Sequence, residues 1–384
     1  MAFLPSLVSW QSRRTALLIA AALVVLSLTA GGRITRAMPD FEVYWTAAGR
    51  ARAAAPLYRV EDGHYQFKYL PAFALLAIPL SLVPLAYAKA LWLAVSVALI
   101  AALITISIAL LPERRRPAWI LATAAVVTMG KFFGHELLLG QVNLLFGVVA
   151  TGALLALRSR HDRTAGTLVA IAVVVKPYAV LFLPWLAAVR RQAFLAAMVC
   201  VMGALALPTV VYGVTTTLDL HAQWWRVVRD STAPNLLNQD NVSVAAMYAK
   251  WLGPGTLATR LASMTGVALI AVAAFVFWRR RRTDFPEGLE GSFALTLIPL
   301  LSPQGWDYVF LISTPAIVFV VNYADRLPVA LRVLAIAAIA AIGLSLFDVM
   351  GRANYATFMS WSVTTVCYFV VIAALVSLRV RGVA

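Results

Sequence analysis

LAYAKALWLAVSVALIAALITISIALL, residues 85–111, is an apolar run that contains a single charged residue, Lys89. A helix needs about 20 predominantly apolar residues to cross the hydrocarbon core of a bilayer. Comparable runs occupy residues 16–30, 255–278 and 358–378, and hydrophobic residues make up 62% of the chain. The sequence therefore predicts an all-α polytopic membrane protein and excludes an ordinary soluble globular domain.

The charge distribution predicts the topology. The net charge is +16, yet the basic residues lie in short clusters between apolar runs, which favours membrane orientation over nucleic-acid binding. By the positive-inside rule each cluster should face the cytoplasm. The clusters are Arg13/Arg14, Arg114 to Arg116, Arg158/Arg160/Arg163, Arg190/Arg191, Arg279 to Arg282, Arg326 and Arg379/Arg381.

An even number of crossings must separate consecutive cytoplasmic clusters, and this parity gives about twelve spans with both termini cytoplasmic. We interpret residues 1–384 as one integral-membrane domain with a first outer loop at 33–83 and a second at 214–255. The single spans are expected near 15–32, 84–111, 118–134, 141–157, 192–213, 255–278, 328–347 and 357–378.

Two further segments, 164–189 and 291–325, must each cross twice although each is short for two full spans. We predict short paired helices broken at Lys176-Pro177-Tyr178 and at residues 302–307. Proline at 177 removes a backbone donor and crowds the preceding turn, which favours a break. Broken helices at membrane depth are tolerated mainly where they line a cavity.

The first outer loop predicts two helices lying at the membrane surface. Helical apolar spacing runs from Asp40 to Ala55 and ends at Pro56, and a second apolar stretch covers 70–83. The loop also carries basic residues that the positive-inside rule does not explain. They indicate either an anionic ligand or pairing with nearby acids. These residues are Arg33, Arg36, Arg50, Arg52, Arg59 and Lys68.

Asp40 is the first candidate for chemistry. The chain has only 16 acidic residues, and Asp40 and Glu42 stand two apart at a predicted membrane surface beside Tyr44 and Trp45. This position suits a base acting on a substrate with a lipid tail and a polar head. The alternative role for Asp40 is a helix N-cap.

Several short motifs follow one another along most of the chain. In order, they are Pro39-Asp40-Phe41-x-Val43-Tyr44-Trp45, Pro56-Leu57-Tyr58, Phe67-Lys68-Tyr69-Leu70-Pro71, Gly140-Gln141-Val142-Asn143, Lys176-Pro177-Tyr178, Asn238-Gln239-x-Asn241 and Leu301-Ser302-Pro303-x-x-Trp306-Asp307. Together they resemble glycosyltransferase family 87, which contains polyprenol-phosphate-mannose-dependent mannosyltransferases of the GT-C fold. The resemblance covers roughly residues 38–310, and Leu70 stands where the family usually has a second proline.

The resemblance implies an inverting transfer of a sugar from a polyprenyl-phosphate donor to a glycolipid or glycan acceptor. The active site would lie on the outer face of a bacterial plasma membrane, among membrane lipids. Asp40 matches the catalytic aspartate, acting as general base on the acceptor hydroxyl. Glu42 completes the Asp-x-Glu form of the motif.

The donor phosphate needs cations, and Lys176, Lys68 and Arg36 are the candidates. A lysine at membrane depth is costly, which favours a functional role, although Lys176 snorkelling to the interface is the alternative. Each candidate for sugar or acceptor binding also has a structural alternative, which is a helix cap, a turn or a position at the membrane interface. The candidates are Glu42, Tyr44, Gln141, Asn143, His135, Asn241, Trp306 and Asp307.

The sequence does not predict a zinc site, a disulfide framework or a nucleotide-binding loop. The four histidines are scattered, Cys200 and Cys367 lie in apolar runs, and no phosphate-binding glycine loop is present. We therefore expect no cofactor and leave a divalent metal open. The alternatives are a secondary transporter or lipid flippase, which would also show broken helices, and a non-catalytic scaffold. The sugar, the acceptor, the linkage and the oligomeric state stay open.

Overall fold

The computed structural model describes residues 31–283 and 285–383, and in that part of the chain every regular element is a helix. The predicted all-α class is confirmed. Short 3₁₀ turns join several of the α-helices. The α-helices are α1 Pro39–Arg52, α2 Pro71–Leu76, α3 Ile78–Ser81, α4 Leu85–Ala109, α5 Ala118–Leu139, α6 Asn143–Arg158, α7 Asp162–Val175, α8 Phe182–Val189, α9 Arg191–Ala206, α10 Thr209–Asp230, α11 Val244–Leu252, α12 Thr256–Trp278, α13 Pro286–Leu301, α14 Thr314–Asn322, α15 Val329–Leu344, α16 Phe347–Met350, α17 Arg352–Ser360 and α18 Val363–Val380.

Among the described residues, three helices are long and apolar enough to cross a bilayer: α4, α12 and α18. The bent pair α9 and α10 makes a fourth if it is taken as one span. Most other apolar helices are shorter, as expected where spans are interrupted. The chain is an all-α membrane protein, whereas the count of twelve spans stays a prediction. Most of the first predicted span lies outside the described residues.

Both predicted helix breaks are confirmed. Helix α7 ends at Val175, Lys176 is extended, and Pro177 opens a short 3₁₀ helix before α8. Helix α13 ends at Leu301, and a 3₁₀ helix from Asp307 leads into α14. Each break contains polar residues within a mainly apolar segment, Lys176 in the first and Ser302 and Gln304 in the second.

The segment predicted as the first outer loop contains the two predicted helical stretches, whereas their position on the outer membrane surface stays a prediction. Helix α1 ends at Arg52, close to Pro56, and the stretch 70–83 forms α2 and α3. Arg50 pairs with Asp62 at 2.7 Å through its second nitrogen, so at least one basic residue of the loop has an acidic partner. Much of the segment predicted as the second outer loop, 214–255, is helical, because it forms part of α10 and all of α11.

The predicted last span, 357–378, is interrupted. Ser362 has a φ of 52°, in the left-handed region that non-glycine residues rarely adopt, and it separates α17 from α18. In this segment, α18 is the helix that is long and apolar enough to cross a bilayer.

The described residues form two compact units. The first, residues 31–102 and 135–231, is called the Asp40 unit. In it α7 approaches α9 so closely that a Cβ on Gly166 would lie 2.1 Å from the Ala193 carbonyl oxygen. Small residues at such contacts are typical of helices packed in membranes.

The second unit, residues 103–134, 232–283 and 285–383, is called the Asp307 unit. Its core includes the stacked rings of Phe310 and Tyr368, whose centroids are 3.6 Å apart. The assignment of residues 1–384 to a single domain stays a prediction.

The predicted topology has a direct test in cysteine labelling. With Cys200 and Cys367 replaced by serine, single cysteines at Arg114, Arg160, Arg190 or Arg280 should react with a membrane-impermeant maleimide only from the cytoplasmic side. A cysteine at Glu61, which is exposed in the first outer loop, is the control and should react from outside. Outside labelling at Arg190 would contradict the double crossing of residues 164–189.

Candidate active site

Asp40 lies in the first turn of α1. Met38 precedes that turn as the N-cap with a φ of 49°, and its N–H donates to the Leu138 carbonyl oxygen at 2.9 Å. Pro39 occupies the first helical position, where its missing N–H costs nothing. Asp40 is thus inside the helix, so it is not the N-cap that the alternative interpretation expected. A carboxylate here is favoured by the helix dipole.

The turn before Gln141 is built on Gly140. Its φ is 69°, and a Cβ there would lie 2.8 Å from Cβ of Phe41, so only glycine fits without displacement. Trp92 Nε1 donates to the Gly140 carbonyl oxygen at 3.1 Å. This turn therefore holds the start of the Gln141 segment directly against α1.

Gln141 connects Asp40 to two buried tyrosines. Its Nε2 donates to Asp40 Oδ2 at 2.7 Å, and its Oε1 accepts from Tyr44 at 2.9 Å and from Tyr69 at 3.1 Å. The two phenol oxygens are 2.7 Å apart. Because a carboxylate only accepts hydrogen bonds, the Gln141 amide must point its nitrogen at Asp40. The network fixes one carboxylate oxygen.

Lys176 joins the same network from the break between α7 and α8. Its Nζ donates to the Tyr69 hydroxyl at 3.0 Å and lies 3.5 Å from Gln141 Oε1. The ammonium also lies 4.8 Å from the centre of the Tyr69 ring. Both of these partners are neutral, so neither cancels the positive charge of Lys176, and this charge lowers the pKa of Asp40.

The electrostatics of Asp40 reflect two opposing causes. Burial raises the pKa of Asp40, whereas the Gln141 hydrogen bond and the charges of Lys176, Lys68 and His64 lower it, and burial prevails. Lys68 is half-buried in the first loop, and its pKa is lowered by burial although the Asp40 charge opposes this. The site thus combines one carboxylate with nearby cationic groups.

The other predicted residues near α1 are oriented differently. Residues two positions apart in a helix point about 200° away from each other around the axis, so Glu42 faces away from Asp40. It forms an ion pair with the buried Lys89. Arg36 is exposed and donates to the Gly32 carbonyl oxygen at 2.9 Å. The structure therefore does not bring Glu42 into the Gln141 network, and the substrate roles of Glu42 and Arg36 stay predictions.

Asn143 lies at the start of α6 in a second cluster of the Asp40 unit. Its Nδ2 donates to Glu136 Oε2 at 2.8 Å, and its Oδ1 accepts from Tyr178 at 3.3 Å. The other Glu136 oxygen accepts the Leu144 N–H at 3.0 Å. His135 is half-buried beside Glu136. Asn143 orders the helix start, and its role toward sugar stays a prediction, as does that of His135.

Asn241 lies in the Asp307 unit, where its amide is used by the fold. Its Nδ2 donates to the carbonyl oxygens of Pro303 at 2.8 Å and Asn235 at 3.0 Å. The neighbouring Val242 N–H donates to the Gly305 oxygen at 2.7 Å. Asn241 therefore fastens the start of the α11 segment to the second helix break, and its substrate role stays a prediction.

Asp307 is fully buried in the same unit and forms an ion pair with Lys131 at 2.9 Å. Lys131 also lies 4.8 Å from the centre of the Tyr355 ring. Trp306 is half-buried with its ring parallel to that of Tyr308, 6.4 Å away. Of the predicted site residues, Asp40, Tyr44, Gln141 and Lys176 share one network, whereas Trp306 and Asp307 lie in the Asp307 unit with separate partners.

Sequence reasoning missed several partners. Tyr69 was named only within a motif, Lys89 and Lys131 lay unassigned in predicted spans, and Glu136 was expected either to support the residues that bind substrate or to be solvated. A charge within an apolar helix is costly unless it is paired, and this signal was available for all three charged residues. Within residues 31–283 and 285–383, no group of three or more His, Cys, Asp or Glu side chains is placed to hold a metal ion.

The comparisons with known proteins give one match. The family model described as Glycosyltransferase family 87 matches residues 67–303, more than half of the 384-residue chain. The matched range includes Lys68, Gln141, Asn143 and Lys176 but begins after Asp40. No curated protein and no solved structure matches the chain significantly.

Proposed function

The chain belongs to the Glycosyltransferase family 87 and is a glycosyltransferase, and on this premise we propose that it uses a polyprenyl-phosphate sugar as donor. The expected sugar is mannose, and the expected acceptor is an envelope glycolipid or glycan. The reaction takes place at the outer face of a bacterial plasma membrane, with both termini in the cytoplasm.

The observation that carries this proposal is the network of Asp40, Gln141, Tyr69 and Lys176. A carboxylate and an ammonium stand on either side of one amide and one phenol, each within hydrogen-bonding distance of its neighbour. A base and a cation in this proximity suit a transfer in which an acceptor hydroxyl loses a proton while a phosphate leaves.

The proposed step is a single displacement. Asp40 takes the proton of the acceptor hydroxyl, and the acceptor oxygen attacks the anomeric carbon of the donor. The bond between that carbon and the phosphate oxygen breaks, and the lipid phosphate departs with the electron pair. Lys176, with Lys68, stabilises the charge that develops on the phosphate, so no protonating acid is needed.

One carboxylate at the reacting centre favours inversion. Retaining transfer through a covalent intermediate would need a second carboxylate, or a comparable nucleophile, at the anomeric carbon. Glu42 pairs with Lys89 on another side of α1, and both oxygens of Glu136 accept hydrogen bonds. These contacts leave Asp40 as the carboxylate that is hydrogen-bonded to Gln141, which supports Asp40 as the base.

The direct test of the donor is a panel assay. The purified protein is incubated with membrane glycolipid extract and with polyprenyl-phosphate mannose, glucose or arabinofuranose, and sugar transfer is followed by mass spectrometry. Transfer from at least one lipid-phosphate sugar, with none from the matching nucleotide sugar, is the expected result. Transfer from the nucleotide sugar alone would contradict the proposed donor class. Movement of lipid without any new glycosidic bond would favour the transporter alternative.

Gln141 should tune the pH dependence of the reaction. The pKa of Asp40 is raised, and a base works only when ionised, so transfer should be lost as the pH falls through a value above that of an ordinary aspartate. The Gln141 hydrogen bond lowers this pKa. Gln141→Met should therefore shift the acidic limb of kcat/KM to still higher pH.

The control for this shift is Tyr178→Phe, because Tyr178 donates to Asn143 and has no hydrogen bond to Asp40 in the contacts described above. Its acidic limb should coincide with that of the wild type. An unchanged limb in Gln141→Met, with turnover alone reduced, would remove Gln141 from the positioning of Asp40.

A further inference from the structure

Helix α10 meets α9 at a sharp angle. The two segments, Arg191–Ala206 and Thr209–Asn235, are together apolar and long enough for one span, but they are bent by 89°. Only one of the two helices can therefore run along the bilayer normal. Residues 193–206 carry no charged side chain, whereas residues 219–230 carry four, so α9 is the better candidate to enter the hydrocarbon. Helix α10 then runs along the membrane plane.

One side of α10 is anchored to the rest of the Asp40 unit. Thr217 and Leu220 are 3% and 2% exposed, and Trp224 lies on the same side of the helix and is half-buried. Trp224 Nε1 donates to the Lys68 carbonyl oxygen at 3.2 Å. Just before the helix kink at Gly213, the Tyr212 hydroxyl donates to the Ala55 carbonyl oxygen at 3.0 Å.

A second side of α10 is apolar and exposed. Val214, Leu218 and Trp225 are 68%, 66% and 59% exposed, and at 100° per residue they lie within about 40° of one another around the axis. A third side carries Asp219 and Arg226, both exposed. An apolar stripe between an anchored side and a charged side is typical of a helix lying in a membrane interface.

We propose that residues 214–230 of α10 lie on the outer surface of the bilayer, with Val214, Leu218 and Trp225 inserted among the lipids. The right-angle bend from the apolar α9 puts the helix in the membrane plane. The stripe then covers its apolar surface with lipid, and the indole of Trp225 is suited to the interfacial layer. The charged side faces water.

The same helix reaches the substrate site through its anchored side. Trp224 and Trp225 are adjacent in sequence, and one holds the Lys68 backbone while the other faces the proposed lipid surface. Seating in the membrane therefore fixes the part of the first loop that carries Lys68. This consequence rests on the proposed function, because it gives Lys68 the donor phosphate as ligand.

The test is the membrane depth of single spin labels, which does not depend on activity. In a background with Cys200 and Cys367 replaced by serine, labels are placed at Leu218, Trp225, Asp219 and Arg226, and the protein is reconstituted in nanodiscs. Labels at 218 and 225 should collide more with oxygen than with a water-soluble nickel chelate. The matched controls at 219 and 226, one residue further along, should show the reverse.

Two stripe positions keep the test decisive if one variant misfolds. Nickel accessibility at 218 and 225 as high as at 219 and 226 would overturn the proposal, because the stripe would face water. Low accessibility to both reagents at 218 and 225 would also overturn it, since it would indicate contact with protein instead of lipid. Neither result bears on sugar transfer, so the proposed glycosyltransferase function would be unaffected.

Discussion

Asp40→Asn is expected to lower the rate of sugar transfer by about 10²- to 10⁴-fold, the usual cost of losing a general base. Asparagine has nearly the same shape, and its oxygen can still accept the hydrogen bond from Gln141, which is 2.7 Å long in the native network. It cannot take the acceptor proton. Donor affinity and expression should therefore stay close to wild type. Steady-state transfer and a donor-binding titration measure the two quantities.

The matched control is Glu42→Gln. This substitution removes the neighbouring carboxylate of the same helix, which pairs with Lys89 and not with the Gln141 network. Its effect on turnover should be far smaller. Turnover of Asp40→Asn above roughly a tenth of the wild-type value would rule out Asp40 as the base.

Lys176→Gln is expected to show the opposite pattern. A hydrogen bond between an ammonium and a phosphate contributes ~1.5–3 kcal/mol, which is on the order of 10- to 150-fold in donor affinity. Glutamine keeps a donor that reaches toward Tyr69 but loses the charge. The donor dissociation constant should rise by that factor, while turnover at saturating donor changes less.

The control for Lys176 is Arg33→Gln, which removes an exposed positive charge from the start of the first outer loop. Donor affinity should be nearly unchanged in that variant. A transporter has no reason to produce affinity loss at Lys176 and turnover loss at Asp40. Equal effects of the two substitutions on affinity would disprove the division of roles.

Local sequence signals predicted much of the fold. Pro177 and the Pro39 start of α1 act on their own backbone, and apolar runs and basic clusters act through the bilayer, so each can be recognised within a few residues. The same signals do not show where an apolar segment is interrupted. Ser362 adopts a left-handed conformation that interrupts the last segment, and the residues around it do not predict this break.

The site itself was only partly predictable. Asp40, Gln141 and Lys176 stood out as polar residues in apolar surroundings. Their arrangement depends on contacts between residues that are far apart in the chain, 101 positions in the case of Asp40 and Gln141. The ion pair of Lys89 with Glu42 joins residues 47 positions apart, so the sequence did not indicate this partner of Glu42. Sequence spacing carries no information on such distant contacts.

The anomeric configuration of the product tests most directly the claim that Asp40 alone activates the acceptor for displacement of a lipid phosphate. A polyprenyl-phosphate sugar of known configuration is supplied, and the linkage in the purified product is read from its one-bond carbon–proton coupling by NMR. Inversion is the predicted result, because one carboxylate supports a single displacement. Retention would require a second nucleophile at the anomeric carbon and would contradict the mechanism.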